Sequence, residues 1–139
     1  MNPQSTCSLS VIIPLYNEAE NVDSLFERLL PAMEQTKSAW EMIIVDDGST
    51  DGTGERLSEW KQRIPSLRIL TLTRNFGQTA ALSAGFDHAG GEWVVTLDGD
   101  LQNHPEDIPS LLQKCQQENL DVLSGWRKDR KDPWLTRRL

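Results

Sequence analysis

The sequence predicts an α/β fold, built on an open, mostly parallel sheet with helices on both faces. Three observations carry that prediction. Five short apolar runs alternate with four stretches whose apolar residues recur at helical spacing. The runs are continuous rather than alternately apolar and polar, so both faces of the strands are expected to be covered, as in parallel sheets. The conspicuous polar residues follow the ends of the runs, where open α/β sheets bind their ligands.

Residues 9–14, LSVIIP, form an apolar run closed by proline, a buried-strand signal. Val22, Leu25, Phe26, Leu29, Leu30 and Met33 then repeat as one helical face. EMIIVDD, residues 41–47, predicts a second strand, followed by a glycine-rich turn and a short helix holding Leu57 and Trp60. LRILTLTRN, 67–75, is the third strand. QTAALSAGFDHA, 78–89, predicts a helix of small residues that Gly90 and Gly91 stop. EWVVTLDGD, 92–100, is the fourth strand. PEDIPSLLQKCQQEN, 105–119, opens with proline and two acids, good first-turn chemistry, and places Ile108, Leu111, Leu112 and Cys115 on one face. DVLSGW, 121–126, predicts a fifth strand. No repeat, low-complexity stretch or linker interrupts this order, so residues 1–139 are expected to form a single domain.

At 139 residues the chain is long enough for one buried core. Its formal charge of −7 argues against nucleic acid as a partner. That charge is uneven: residues 127–139 hold four Arg and two Lys against two Asp, a balance of +4, which leaves −11 for the rest. Trp126 and Trp134 interleave with these cations, a composition suited to a membrane surface carrying anionic lipid. Cys7 and Cys115 lie far apart and are expected as free thiols in a reducing compartment. No apolar run approaches the roughly 20 residues of a membrane span. The opening MNPQSTCSLS is polar, unlike a signal peptide, and predicts a cytosol-facing chain. The closing PWLTRRL stops without a turn or cap, as a longer chain cut short would.

The polar residues divide by strand end. Pro14, Tyr16, Asn17 and Glu18 follow the first run, Asp46 and Asp47 end the second, and Arg74 and Asn75 the third. Asp98, Asp100 and Gln102 follow the fourth, and Arg127 the fifth. Two carboxylates with Gly99 between them can converge on one hard cation, and Gln102 can add an oxygen. Oxygen ligands without thiolate or imidazole favour Mg²⁺ or Mn²⁺, ions that usually sit on substrate phosphates. The competing reading is a turn in which the aspartates cap the next helix. VDDGSTDGTG, 45–54, is neither a dinucleotide fingerprint nor a P-loop. Its doubled acid suits acceptance of a base N–H or a ribose hydroxyl, or else a strand-to-helix turn. Tyr16 either stacks on a base or packs. His88 and His104 are expected at the surface, and Trp40, Trp60 and Trp93 in the core or half-buried.

SVIIPLYNEAENV, EMIIVDDGSTDGT, LTRNFGQTAALSAGFDHAGGEWVVTLDGDLQNHPEDIP and DVLSGWRKDRKD together resemble family 2 glycosyltransferases of the GT-A fold, a Rossmann-like architecture. DGDLQ and the NFG segment are similar to the polyprenyl-phosphate branch, the dolichyl-phosphate mannosyltransferases and their undecaprenyl-phosphate relatives. The resemblance implies an inverting transfer of a sugar from a GDP- or UDP-linked donor to a polyprenyl phosphate, assisted by Mg²⁺ or Mn²⁺ at the cytoplasmic face of a membrane. It implies that Pro14, Tyr16, Glu18, Asp46, Asp47 and the Asp98-Gly99-Asp100 turn hold the nucleotide sugar. Asp98, Asp100 and Gln102 would hold the metal, while Arg127 and Arg130 would meet the acceptor phosphate. The family continues into an interfacial segment beyond the point where this sequence ends, and the basic residues 127–139 would begin it.

A polyprenyl phosphate oxygen is ionised at neutral pH and needs no general base, whereas a saccharide hydroxyl acceptor would need one. Two rival readings fit parts of the sequence. WVVTLDGDL also looks like the hhhDxD of haloacid-dehalogenase phosphatases, in which the first Asp is the nucleophile. That motif belongs on a first strand, and here it falls on the fourth. The other rival is a non-catalytic nucleotide-binding module.

Overall fold

A computed structural model describes residues 7–100 and 102–121. Among these, four parallel strands form one sheet: β1 (Leu9–Leu15), β2 (Trp40–Asp46), β3 (Leu67–Thr71) and β4 (Trp93–Thr96). The order is β3-β2-β1-β4. Ile12 pairs with Ile43 on one side and with Thr96 on the other, so β1 is central. Helices α1 (Val22–Gln35), α2 (Thr53–Arg63), α3 (Gln78–His88) and α4 (Ile108–Glu118) connect and follow the strands. The expected fifth strand lies outside the described residues.

The apolar runs bury both faces because successive side chains of a strand point to opposite sides. Leu9, Val11, Ile13 and Leu15 of β1, with Met42 and Ile44 of β2, pack against α1, α2 and α4. Phe26 of α1 stacks on Trp60 of α2 with ring centroids 4.9 Å apart. The Trp60 indole N–H, otherwise a costly buried donor, reaches Asp23 at 2.8 Å. On the other face Ile12, Ile43 and Val45 meet α3 through Ala81. The small residues of α3 allow that approach, since a Cβ on Gly85 would collide with Ile12.

Two strands are shorter than their apolar runs. β3 ends at Thr71 and β4 at Thr96, although the runs continue to Asn75 and Asp100. Beyond these ends one more backbone bond ties each chain segment to its neighbour, Leu72 N–H to the Asp46 carbonyl at 2.9 Å and Leu97 N–H to the Ile12 carbonyl at 3.1 Å, before the chain turns away. Coverage is also uneven. Val94, which faces the α3 side of β4, is exposed, so the expectation of two fully covered faces holds for β1 and β2 but not for β4. Trp60 is buried, Trp40 and Trp93 are half-buried, and both histidines are exposed, as expected. Cys7 and Cys115 are free thiols. No described helix is long and apolar enough to cross a membrane.

Candidate functional site

The strand order reverses between β1 and β4. The chain moves outward from β1 through β2 to β3, then returns through α3 to the opposite side of β1. The connecting helices therefore lie on opposite faces and leave a crevice at the carboxyl ends of the strands, the usual ligand position in such sheets. A cleft of about 320 Å³ opens there, within the range of small-molecule sites. Pro14, Tyr16, Glu18, Asp47, Asp98, Gly99 and Asp100, all singled out in the sequence, line it. Leu15, Asn75, Gly77 and Gln78 complete the lining.

The first wall is a pair of loops stitched together. Asn17 adopts a left-handed backbone with φ 53°. Its N–H donates to the Ser49 hydroxyl at 2.9 Å, and its side-chain oxygen accepts the Thr50 N–H at 2.8 Å. The Glu18 N–H donates to the Thr53 hydroxyl oxygen at 3.0 Å, and the Ala19 N–H to Asp51 at 3.2 Å. The Thr53 hydroxyl, and with it the Ala19 and Thr53 amides, holds the Asp51 carboxyl below the usual carboxylate range. Tyr16 stands over this wall 46% exposed, free of the core and available to a planar ligand.

The doubled acid behaves as two different residues. Asp46 and Asp47 are both buried, but consecutive side chains diverge. Asp46 accepts the Ser49 N–H at 3.0 Å within its own turn and does not line the cleft. Asp47 lines the cleft and also ties down the loop after β3: it accepts the N–H of Phe76 at 2.8 Å, that of Gly77 at 2.9 Å, and the Asn75 amide at 3.2 Å. Gly48, at φ +75°, passes under that loop, and a Cβ there would lie 2.5 Å from the Asn75 nitrogen. Only glycine combines this conformation with this approach.

Asp98 accepts the Gln78 side-chain amide at 3.1 Å, and its own N–H donates to the Asn103 side-chain oxygen at 2.5 Å. Asn103 is steadied in turn by Arg28 of α1, whose guanidinium donates to the Asn103 carbonyl at 3.3 Å and grips Glu106 at 2.9 and 3.0 Å. The Glu106 hydrogen bond raises the Arg28 pKa, and the same bond lowers that of Glu106. Asp100 is exposed and accepts the Gln102 N–H at 3.1 Å, a turn-forming bond. The turn reading of Asp98-Gly99-Asp100 is thus partly realised, and both carboxylates line the cleft as well. Gly99 is buried, and a Cβ there would collide with Leu15 and lie 3.2 Å from the Pro14 carbonyl oxygen, so the close packing requires glycine.

Gln102 is exposed and outside the cleft lining. Arg127, Arg130 and the rest of the basic segment lie outside the described residues. Asn75, Gln78 and Asn103 are the site residues that sequence reasoning did not select. The sequence puts Asn75 on the rim without a role and marks Gln78 only as the opening of a helix. The available signal was position: Gln78 starts a helix at a strand end, where a side chain can reach the next strand's turn.

Among the described residues no group of three or more His, Cys, Asp or Glu side chains could hold a metal ion. The cleft offers the two carboxylates of Asp98 and Asp100. That donor set does not make a closed protein cage. It does fit a hard divalent cation that keeps waters and takes further oxygens from a substrate phosphate.

Comparison with known proteins identifies a family. The family model described as Glycosyl transferase family 2 matches residues 10–139. The dodecaprenyl-phosphate galacturonate synthase of Rhizobium johnstonii is 46% identical over 139 residues, covering 99% of this chain and 41% of that protein. The undecaprenyl-phosphate 4-deoxy-4-formamido-L-arabinose transferase of Edwardsiella ictaluri is 44% identical over 132 residues, 94% of this chain and 40% of that protein. The chain therefore spans about two fifths of the length of these curated relatives. Among solved structures, the mannosyltransferase PcManGT from Pyrobaculum calidifontis, in complex with GDP-Man and Mn²⁺, superposes with a TM-score of 0.63 at 29% identity, over 83% of this chain and 34% of that one. S. aureus TarS 1–349 in complex with UDP-GlcNAc gives a TM-score of 0.69 at 22% identity, over 91% and 37%, a likeness of fold.

Proposed function

Because the chain belongs to glycosyl transferase family 2, we propose that it forms the donor-binding part of an inverting enzyme that moves a sugar from a GDP- or UDP-linked donor to a polyprenyl phosphate. The observation that carries this reading is the cleft itself. Motif residues from three separate strand ends, Pro14, Tyr16 and Glu18, then Asp47, then Asp98 to Asp100, line one cavity at the switch point. The names of the two curated relatives, both polyprenyl-phosphate sugar enzymes, support the acceptor class. The GDP-Man and Mn²⁺ of the Pyrobaculum structure support the donor and cofactor class.

In this reading Tyr16 stacks on the base. Asp47, with Asp46 beside it, accepts from the base or ribose, and Pro14 and Glu18 shape that wall. Asp98 and Asp100 would hold Mg²⁺ or Mn²⁺, with Gln102 as a further oxygen. When bound, such an ion offsets the charge that develops on the departing nucleoside diphosphate. Among the described residues the cleft lining contains no histidine or lysine, and this reading gives its carboxylates to the donor and the metal. An acceptor phosphate oxygen, already ionised, needs no base, and its attack from the face opposite the diphosphate inverts the anomeric carbon. Arg127 and Arg130 meet that phosphate, and residues 127–139 lie against the cytoplasmic face of a membrane.

The experiment is a titration of GDP and UDP with Mn²⁺ and with EDTA, followed by an assay of sugar transfer to a polyprenyl phosphate. Metal-dependent binding with transfer is expected. Binding without transfer would make this chain a nucleotide-binding module, and phosphate-ester hydrolysis without nucleotide binding would favour phosphatase chemistry.

A further inference from the structure

We propose that Gln78 is a positioning residue for Asp98, setting the carboxylate for the cation that the nucleotide diphosphate brings. This inference rests on the reading of the cleft given above.

Residues 75–78 bridge the two acids of the site. Asn75, Phe76 and Gly77 are all held by Asp47 at the end of β2. The next residue, Gln78, opens α3 and donates from its amide to Asp98 Oδ1 at 3.1 Å, beyond the end of β4. The strap crosses the end of β1, which lies between β2 and β4. Because the Gly77 N–H is already anchored on Asp47, the Gln78 side chain starts from a fixed backbone and is aimed rather than loosely tethered.

The chemistry of the amide suits the task. A neutral donor on Oδ1 fixes the rotation of the carboxylate without itself bringing a positive charge to it. A lysine would neutralise the carboxylate, and a glutamate would repel it. Carboxylate ligands are commonly oriented by such outer hydrogen bonds, and loss of one typically lowers metal affinity ten- to a hundredfold. The Asn103 side chain fixes the other half of the residue, its backbone N–H. Gln78 itself is exposed and contributes nothing to the core, so its replacement tests orientation rather than folding.

The test compares the parent chain with Gln78→Met, which keeps the bulk of the side chain and removes the amide. Calorimetry measures GDP and UDP binding with Mn²⁺ and with EDTA. The resonance of free Mn²⁺ reports metal binding to the nucleotide-loaded protein. Gln78→Met is expected to weaken Mn²⁺ binding about tenfold or more, to leave nucleotide affinity in EDTA and the melting temperature unchanged, and to add no further loss in an Asp98→Ala background. An equal loss in EDTA, or an added loss in the Asp98→Ala background, would mean that Gln78 touches the ligand directly and would overturn the inference. So would parent-like Mn²⁺ binding. A parent chain with no Mn²⁺-dependent nucleotide binding would overturn the reading of the cleft and this inference with it.

Discussion

Acidic residues occupy both ends of the sheet and serve opposite purposes. At the end where the strands begin, Glu41 of β2 is 14% exposed and enclosed by donors. It accepts the Ser10 hydroxyl at 2.7 Å and the Gly90 N–H at 2.8 Å, and it lies 3.6 Å from the Arg68 guanidinium. Ser10 accepts in turn the Gly91 N–H at 2.8 Å, which fastens the turn between α3 and β4 to the sheet. At the end where the strands finish, Asp98 and Asp100 face a cleft. Asp98 accepts from the Gln78 side-chain amide and Asp100 from the Gln102 N–H, neutral donors that orient a carboxylate without adding a positive charge. Asp47 stands between the two cases, since it lines the cleft yet spends hydrogen bonds on the loop of residues 75–77. The lesson is that the partners of a carboxylate, more than its burial, separate a fastening from a binding group.

The widest separation is expected from Asp100→Asn. It should lower Mn²⁺-dependent nucleotide diphosphate binding by on the order of a hundredfold, about 2.8 kcal/mol, while urea denaturation stays within about 0.5 kcal/mol of the parent, as for ordinary surface changes. Parent-like binding would remove Asp100 from the metal site and break the comparison at the rim.

Glu41→Ala should do the reverse. It leaves the Ser10 hydroxyl and the Gly90 N–H without their acceptor, a cost of about 1–3 kcal/mol in stability, with nucleotide affinity measured in the same samples unchanged. A loss of nucleotide affinity in still-folded Glu41→Ala would show that the two ends are coupled and that the division drawn between them is too sharp.

The smallest effect is in pH. Burial pushes the Glu41 carboxyl up, but the Gly90 amide, the Ser10 hydroxyl and the Arg68 guanidinium outweigh it, and the net shift is downward. A group with a depressed folded pKa binds more protons in the unfolded chain. Its contribution to stability is therefore complete above the ordinary glutamate value of roughly 4.3 and is lost as pH falls through the lower folded value. Glu106 is shifted the same way and shares that window, while Asp51, also shifted down, begins from the lower ordinary aspartate value of roughly 3.9. Glu41→Gln should flatten only its own part of the acid slope in a series of urea melts. An unchanged slope would mean that Glu41 fastens the turn without holding its proton affinity down.

The sequence by itself determined the α/β class, the parallel sheet and most of the rim. Continuous runs such as VIIP and MIIV can be buried only between two layers, and an acid that ends such a run has to emerge at a strand end. It could not say which of Asp46 and Asp47 faces the cleft. In a strand buried on both faces, hydrophobicity does not alternate, so the pattern carries no record of which way each side chain points. Nor could it order the strands: β4 beside β1 is a long-range pairing, and that pairing brings the turn after β4 against Pro14 and Leu15, where only glycine fits at position 99. The bond from Gln78 to Asp98 was hidden for the same reason, since a glutamine opening a helix has no local signature of the strand end it will meet. The tertiary structure decided these points because each depends on distances between segments that the chain brings together only on folding.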